Sequence, residues 1–371
     1  MLMWYIIMYV TLAVIALALG YLCKQTEKFS IVTNIAAKHK INKHLLSALF
    51  VISISALIAL SINLINAFVC LLYLAMIWSL TDLLFYIIKK IRCQPFQKDY
   101  TGLFAIITSL LVLSYGWYLD HHVWQTTYNL TSKKSISPIK IVMFADSHTG
   151  TTFHAKGFAR HMEEIAKLKP DVIIIAGDFV DDNTSPSDMV ATIKTLGSIK
   201  TTYGIYFASG NHDKGYYGPA YRGFSEHELF TELTNHGIKV LQDDALLINN
   251  MFYIIGRKDY SVEKEQTGHR KSMQELTANL DKSKYMVVID HQPTDYKNQA
   301  LSKVDLVLSG HTHGGQLFPF NQVGKWIGAN DRIYGHEKRG NTDFIVTSGL
   351  SDWAIKFKTG TKSEYVVINL N

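Results

Sequence analysis

Cysteine is scarce in this chain of 371 residues, and the three that occur are Cys23, Cys70 and Cys93. The rest of the chain, beyond position 93, has none, so no disulfide framework can hold that part together. The same absence excludes a structural zinc site built on thiolates in that part. A folded domain there must therefore rest on a hydrophobic core, which about 230 residues are ample to form.

Charged residues are missing from three long stretches in the first third of the sequence. Residues 4–22, 45–81 and 101–119 contain no Asp, Glu, Lys or Arg. A helix needs ~20 apolar residues to cross a hydrocarbon core of ~30 Å, so the middle stretch holds two helices with a turn at residues 63–66. The sequence thus predicts a membrane domain over residues 1–120. Its four transmembrane helices are expected at about 4–22, 45–62, 67–88 and 101–119.

The basic residues of this domain lie in two of its loops and predict its orientation. They are Lys24, Lys28, Lys38, Lys40 and Lys43 in the first loop, and Lys89, Lys90, Arg92 and Lys98 in the third. Positively charged loops usually face the cytoplasm. With the first and third loops in the cytoplasm, the N-terminus lies outside. Four crossings then place the C-terminal part outside as well. We therefore expect a multi-pass protein of the cell membrane with an extracytoplasmic domain and the lipid bilayer as a partner.

The basicity of the chain does not indicate a nucleic-acid partner. The net charge is +6, but residues 1–120 hold 9 Lys and Arg against 4 Asp and Glu, whereas the remainder holds 28 against 27. The excess therefore belongs to the membrane loops rather than to a surface that could follow a phosphate backbone. No specific nucleic-acid binding is expected.

Beyond the last apolar stretch, residues 121–138 resemble a polar tether, and residues 139–371 predict a domain of the α/β class. Apolar strand-like runs alternate there with stretches of helical periodicity, a pattern typical of βαβ units. After position 238 shorter strands follow, and late strands are expected at 344–347 and 365–369. Together these elements predict two packed sheets flanked by helices.

Five short segments rich in metal-ligand side chains stand directly after predicted strands of this domain. They are Asp146-Ser-His148, Gly177-Asp178-Phe-Val-Asp181, Gly210-Asn211-His212-Asp213, Asp290-His291 and Gly310-His311-Thr-His313. Because strand ends meet at one edge of an α/β sheet, side chains far apart in sequence can converge there. Carboxylates, imidazoles and an amide oxygen suit divalent metals.

Each segment also has a plainer interpretation when it is taken alone. The glycines at 177, 210 and 310 fit ordinary turns after strands. His291, two residues before Pro293, fits a loop histidine. His311 and His313 can face one point only if the chain turns between them, which the glycines around them permit. Only the joint pattern favours a metal site over these alternatives.

The motifs, their order and their spacing resemble the calcineurin-like metallophosphoesterase superfamily over roughly residues 139–371. The stretch Gly310-His-Thr-His-Gly-Gly-Gln316 is similar to the membrane-associated bacterial branch of that family, as is Val346-Thr-Ser-Gly-Leu350. The branch usually carries Arg-Pro-Glu near the last strand, where this chain has Lys362-Ser363-Glu364. The resemblance implies a four-layer α/β/β/α sandwich that holds two divalent metal ions, with Mn, Fe, Zn and Co all open.

The resemblance also implies a role for each residue of the motifs. The first metal would be held by Asp146, His148, Asp178 and His313, and the second by Asp178 as a bridge with Asn211, His291 and His311. A hydroxide between the metals would attack phosphorus. His212 is expected to serve as general acid or phosphate-stabilising donor, with Asp213 orienting it and raising its pKa. Asp181 is expected to accept a hydrogen bond from a ligand imidazole.

These residues predict a membrane-anchored, metal-dependent phosphoesterase acting on a phosphodiester, phosphomonoester or pyrophosphate. One alternative is an envelope-lipid or nucleotide-sugar-lipid pyrophosphatase, and another is a membrane protein that binds metal without turnover. The loops 214–237 and 317–340 are long and aromatic, so they either cap a membrane- or envelope-associated phosphoester or pack on their own domain. Asp120-His121-His122, at the end of the fourth predicted helix, fits polar residues that line the interface.

Overall fold

The computed structural model describes residues 2–92 and 99–371, and it divides the chain into two compact units, Met1–Gly116 and Trp117–Asn371. Cys93 and Lys98 lie outside the described residues. The helices are α1 (Leu2–Thr26), α2 (Ser30–His39), α3 (Lys43–Ser61), α4 (Leu64–Arg92), α5 (Thr101–His121), α6 (Ala155–Lys167), α7 (Pro186–Gly197), α8 (Pro219–Arg222), α9 (Glu226–Asn235), α10 (Ser261–Lys264), α11 (Met273–Thr277), α12 (Tyr296–Leu301) and α13 (Val323–Trp326). The strands are β1 (Val123–Leu130), β2 (Ile139–Phe144), β3 (Val172–Ala176), β4 (Gly204–Ala208), β5 (Ile238–Val240), β6 (Asp244–Ile248), β7 (Phe252–Gly256), β8 (Tyr285–Ile289), β9 (Leu306–Ser309), β10 (Gly335–Arg339), β11 (Thr342–Val346) and β12 (Ser363–Leu370).

The first unit contains helices that are long and apolar enough to cross a membrane. In the described part of the chain there are four such spans, Tyr9–Thr26, Lys43–Ser61, Leu64–Arg92 and Thr101–His121. They overlap the four transmembrane helices expected at about 4–22, 45–62, 67–88 and 101–119. The break between α3 and α4 falls where the asparagines predict it, since the Asn63 side chain accepts a hydrogen bond from the backbone N–H of Asn66 at 2.8 Å. The short helix α2 was not expected.

The second unit is built on two six-stranded sheets that pack face to face. The first has the strand order β1-β12-β2-β3-β4-β5, and the second has the order β10-β11-β9-β8-β7-β6. Apolar side chains from both sheets form the core between them, including Ile174, Tyr206 and Ile254. The outer face of the first sheet is covered by α6, α7 and α9, and that of the second by α11 and α12. The arrangement is the expected four-layer α/β/β/α sandwich.

The polar tether expected at residues 121–138 is wrong over the N-terminal half of that segment. Residues 123–130 form β1, which pairs with β12 in parallel register along its whole length. The segment resembles a linker because β1 is the edge strand of the first sheet, so its polar side chains alternate toward solvent. The second unit, called the catalytic unit below, therefore begins near the end of α5, at Trp117, rather than at position 139.

The strand directions bring the five motifs to one edge of the fold. Strands β2, β3 and β4 run parallel in the first sheet, and β7, β8 and β9 run parallel in the second. The carboxyl ends of parallel strands lie at the same edge of a sheet, so the residues that follow them become neighbours. Each motif occupies the loop that follows β2, β3, β4, β8 or β9.

Candidate metal centre

The structure brings six of the seven expected metal ligands together in two groups of three. Asp146, His148 and His313 form the first group, and Asp178, His291 and His311 form the second. Within each group one potential ligand atom from every residue lies within 4.8 Å of the others. All except His311 and His313 are buried, and those two are half-buried. The geometry thus reproduces the division into two sites that the resemblance implies.

The carboxylate of Asp178 lies between the two groups. Its Oδ2 is 3.8 Å from Nε2 of His148 and 3.1 Å from Nε2 of His291. An anion in this place offsets the repulsion between two cations that are ~3.5–4 Å apart in two-metal sites. This position fits the bridging role that the resemblance implies for Asp178.

Asn211 completes the second group through its amide oxygen. Its Oδ1 lies 2.9 Å from Nδ1 of His311, and its Nδ2 donates a hydrogen bond to the hydroxyl of Tyr216 at 2.8 Å. With the NH₂ end bound to Tyr216, the amide oxygen faces the ligand group. No motif of the sequence marks Tyr216 for this contact.

In His148 and His291, the ring nitrogen Nδ1 faces an oxygen of the protein. Nδ1 of His291 donates to the carbonyl of Ala176 at 2.7 Å, and Nδ1 of His148 lies 3.4 Å from Oδ2 of Asp181. Partners of this kind fix the orientation of an imidazole and leave its Nε2 for a metal. The position of Asp181 matches its expected role.

The donor set fits two cations. Nε2 of His148 and Nε2 of His291 are fully buried and have no hydrogen-bond partner among the described residues. A buried polar atom without a partner is costly, so such atoms mark a place where another group belongs. Imidazole nitrogens together with carboxylate and amide oxygens are ligands that divalent transition metals accept.

The backbone at the ligands is strained. Five of the seven ligands have positive φ angles, namely Asp146 (52°), His148 (35°), Asp178 (51°), His311 (70°) and His313 (47°). A residue with a side chain in this region costs on the order of 1–3 kcal/mol, and such residues concentrate at functional sites. The turn expected between His311 and His313 is present, and both side chains reach the centre.

Two motif glycines are required because side chains approach them closely. A Cβ on Gly210 would lie 2.2 Å from Oδ1 of Asp178, and a Cβ on Gly310 would lie 2.5 Å from Oδ2 of Asp146. Neither distance is possible for a real Cβ atom. These glycines are therefore part of the ligand cradle, and the interpretation as plain turns does not account for them.

Charges inside the metal-free centre shift the pKa values of its histidines in opposite directions. Burial opposes the charge on His148, but the hydrogen bond to Asp181 and the nearby carboxylates outweigh burial and raise its pKa to about 9. Burial lowers the pKa of His311 to about 3 and that of His313 to about 4. A metal can bind only neutral imidazole, so His148 has to release a proton when the centre is filled near neutral pH.

Asp213 does not have the role expected from its position beside His212. Its buried carboxylate accepts hydrogen bonds from four backbone N–H groups, those of Asp178 (2.8 Å), Phe179 (2.9 Å), Val180 (3.1 Å) and Gly210 (2.7 Å). These bonds join the loops after β3 and β4. Asp213 thus holds two ligand-bearing loops together, because it binds backbone rather than the His212 ring.

His212 lies beside the ligands in an aromatic environment. Its ring centroid is 5.0 Å from those of His148 and Tyr216 and 5.2 Å from that of Trp353. Burial and then the charge of His148 outweigh the attraction of Asp178 and lower the pKa of His212 to about 4. The expectation that its pKa is raised is therefore wrong for the metal-free protein. Trp353 was not identified from the sequence because no motif marks it.

Comparison with known proteins assigns a family to part of the chain and finds several relatives. The model of the calcineurin-like phosphoesterase family matches residues 139–315. An uncharacterized metallophosphoesterase of Campylobacter jejuni is 28% identical over 311 residues, which cover 81% of this chain and 78% of that protein. A transmembrane protein with metallophosphoesterase domain from Danio rerio is 30% identical over 64% of this chain and 54% of its own length. A solved structure, a dimetal phosphatase from Danio rerio, covers 57% of this chain and 87% of its own with a TM-score of 0.37 and 13% identity.

Residues 139–315 form a domain of the calcineurin-like phosphoesterase family. The protein is a metal-dependent phosphoric ester hydrolase, and its apolar helices are those of a membrane protein.

Replacing Gly210 by Ala should weaken metal binding. The new Cβ would displace the Asp178 carboxylate, and a displaced ligand is expected to cost at least about tenfold in affinity, the lower end of the range for the supporting partners of metal ligands. Mn²⁺ binding to the full-length chain in detergent measures the effect. Gly268→Ala is the control, since a Cβ there meets only a Val262 methyl at 3.3 Å. Equal affinities of the two variants would contradict the proposed cradle.

Proposed function

We propose that this protein hydrolyses phosphodiesters by direct attack of water, without a covalent enzyme intermediate. The observation that carries the proposal is the position of Asp178 between two ligand groups, with His212 beside them. Two bound cations would activate the water and offset the charge on the phosphate oxygens. No serine, threonine or cysteine of the motifs supplies a nucleophile in place of that water.

The chain's own residues hold the ester and assist its leaving group. His212 is neutral near pH 7 in the metal-free protein because its pKa is lowered to about 4. A neutral imidazole still has one N–H, which can donate to a phosphate oxygen or to the departing alkoxide. The Nδ1 of His212 is buried without a hydrogen-bond partner in the described part of the chain, so the ring is not committed elsewhere. A diester gains more from such a donor than an activated monoester does.

Hydrolysis of a chromogenic phosphodiester and the matching monoester by the full-length, Mn²⁺-loaded chain tests this function. Asp178→Asn should abolish both activities because the bridging charge is lost. His212→Ala should lower kcat/KM for the diester by about 10²–10⁴, the usual contribution of a positioned proton donor. His227→Ala, on the surface of α9, is the matched control and should leave the rate unchanged.

Two results would overturn the proposal. One is turnover that Asp178→Asn leaves intact. The other is binding of two metals per chain without hydrolysis of either ester, which would favour a metal-binding membrane protein.

We further propose that the catalytic unit lies outside the cytoplasm. The support is the distribution of basic residues, since Lys24, Lys38 and Lys89 with their neighbours belong to the loops on one side of the four spans. The rival pyrophosphatase acting on a nucleotide-sugar lipid would need the opposite orientation.

Protease accessibility distinguishes the two orientations. Protease added to intact cells should digest the catalytic unit while it spares a tag inserted in the loop between α1 and α3. Protection of the catalytic unit in intact cells, with digestion only after permeabilisation, would reject the extracytoplasmic placement and support the rival activity.

The substrate we propose is a phosphodiester that carries an apolar chain and is presented at the membrane. A cavity of about 350 Å³ adjoins His311 and is lined partly by Leu317, Phe320 and Ile355. The segment that forms its wall also exposes large apolar side chains, among them Trp326 (72% exposed) and Ile327 (63%). Exposed apolar surface beside a reaction centre is typical of a site for an amphiphilic ligand.

The double variant Phe320→Ala, Trp326→Ala tests this substrate class. We expect KM to rise about tenfold or more for a diacyl phosphodiester in mixed micelles, since each of these exposed aromatic side chains would bury apolar surface against the acyl chain, worth on the order of 1 kcal/mol or more. The KM for a short, soluble diester should not change. Leu301→Ala removes an equally exposed apolar side chain from α12 and serves as control. Equal effects on both substrates would contradict an apolar subsite.

A further inference from the structure

Residues 258–270 form a loop after β7 whose two ends are tied together. The buried carboxylate of Asp243 accepts hydrogen bonds from the backbone N–H groups of Lys258 (3.0 Å) and Lys271 (2.9 Å). Nε of Arg270 also donates to the carbonyl oxygen of Lys258 at 2.7 Å. Compact surface loops of about 6–16 residues with adjoining ends are Ω loops, which frequently have a function. Neither the motifs nor the proposed reaction gives this loop a role.

Asp290, a motif residue without a place in the metal centre, holds the same two ends. It does not belong to either ligand group found among the described residues. Its fully buried carboxylate accepts hydrogen bonds from Nη1 of Arg257 at 2.9 Å and from Nη2 of Arg270. Because Asp290 directly precedes the ligand His291, loop 258–270 is fastened to one of the motif loops.

The tip of this loop contacts the loop that follows β4. Glu265 forms an ion pair with Lys214 through its Oε2. Nζ of Lys214 also lies 5.0 Å from the ring centroid of Tyr216. The Tyr216 hydroxyl accepts a hydrogen bond from Asn211, and its ring packs against that of His212. The ion pair therefore lies next to a residue that contacts the metal centre.

The ion pair matters for the charge beside the metal centre more than for stability. The side chains of Lys214 and Glu265 are 26% and 39% exposed, and pairs so exposed add little to the free energy of folding. Glu265 nevertheless neutralises a lysine that would otherwise place a positive charge near the bound ester. Coulomb energy is proportional to the charge, so a dianion gains twice as much from such a lysine as a monoanion does.

We propose that Glu265 is a specificity-determining residue that neutralises Lys214 and so favours phosphodiesters, with one negative charge, over phosphomonoesters, with two. The tied ends of loop 258–270 keep Glu265 in place for this purpose. The inference rests on the proposed function and names the feature by which the same site separates two candidate substrates.

Steady-state kinetics of the full-length, Mn²⁺-loaded chain in detergent test the role of Glu265. The substrates are a chromogenic phosphodiester and the matching monoester at low ionic strength and about pH 8, where the monoester carries close to two charges because its second pKa is ~6. In Glu265→Gln we expect KM to fall about twofold for the diester and about fourfold for the monoester. The kcat should not change, because Glu265 does not contact the ligand groups.

Two further variants separate charge from local structure. Lys214→Gln should raise KM, and more for the monoester than for the diester. The double variant Glu265→Gln, Lys214→Gln is again neutral and should return both KM values to those of the wild type. In about 1 M salt, where the screening length is ~3 Å, all these proteins should give the same KM ratio.

Glu164→Gln is the matched control for the loss of one exposed carboxylate. Glu164 pairs with Lys167 at 2.6 Å near the end of α6. This end lies beside the amino end of β2, at the edge opposite the metal centre, since Lys140 donates to the carbonyl of Leu168 at 3.0 Å. Both KM values should therefore stay at those of the wild type.

Three outcomes would overturn the proposal. The first is the same KM change for both esters in Glu265→Gln, or none for either. The second is a double variant that keeps the shift of Glu265→Gln, and the third is a shift that persists in about 1 M salt. Either of these two would indicate a local rearrangement rather than a charge effect.

Failure of the proposed function is distinguishable from failure of this inference. If the wild type hydrolyses neither ester, the proposed function is wrong. Calorimetric dissociation constants of inorganic phosphate, largely a dianion at about pH 8, and of dimethyl phosphate, a monoanion, then test Glu265 in the same variants. Glu265→Gln should tighten phosphate more than dimethyl phosphate, and equal constants in wild type and variant would overturn the role of Glu265.

Discussion

The structure of the catalytic unit depends on the position of one carboxylate, that of Asp178, which lies close to imidazoles of both ligand groups. Its backbone takes a positive φ of 51° to reach both groups, and Gly210 leaves room for its side chain. Asp213 ties the loop of Asp178 to the loop of Asn211 through three backbone hydrogen bonds. The strain at the ligands is thereby offset by contacts that are themselves fully buried, which favours a preformed centre.

The parallel strands supply the rigid frame for this centre. Both sheets contribute ligands from their carboxyl edges, and their inner faces share one hydrophobic core. A shift of one sheet against the other would separate His291 and His311 from Asp178. The geometry of the metal centre therefore depends on the packing between the sheets as well as on the loops that carry the ligands.

Much of the centre was predictable from the sequence because each ligand directly follows an apolar run. The buried strands β2, β3 and β8 consist almost wholly of Ile, Val, Met and Phe, so their ends are visible in the sequence. The four membrane spans are equally visible, since three long stretches of the sequence lack charge and the middle one is long enough for two helices.

Other parts were not predictable because they depend on contacts distant in sequence. The edge strand β1 has the polar alternation of a linker, and it becomes a strand only by pairing with β12, some 240 residues later. Asp213 appeared to be a partner of its neighbour His212, whereas its partners are backbone groups brought close by the sheet. Tyr216 contacts Asn211 and Trp353 packs against His212, both from segments without a motif. Short sequence motifs identify the metal ligands, but they do not identify the residues that orient those ligands through hydrogen bonds and packing.

The most direct test of this account is the magnetic state of Mn²⁺ bound to the full-length chain. The account predicts two Mn²⁺ ions per chain and an electron paramagnetic resonance spectrum of an exchange-coupled pair, because Asp178 bridges ions that are ~3.5–4 Å apart. In Asp178→Asn the coupling should disappear. A single bound ion, or two ions with the spectrum of isolated Mn²⁺, would contradict a dinuclear centre built on Asp178.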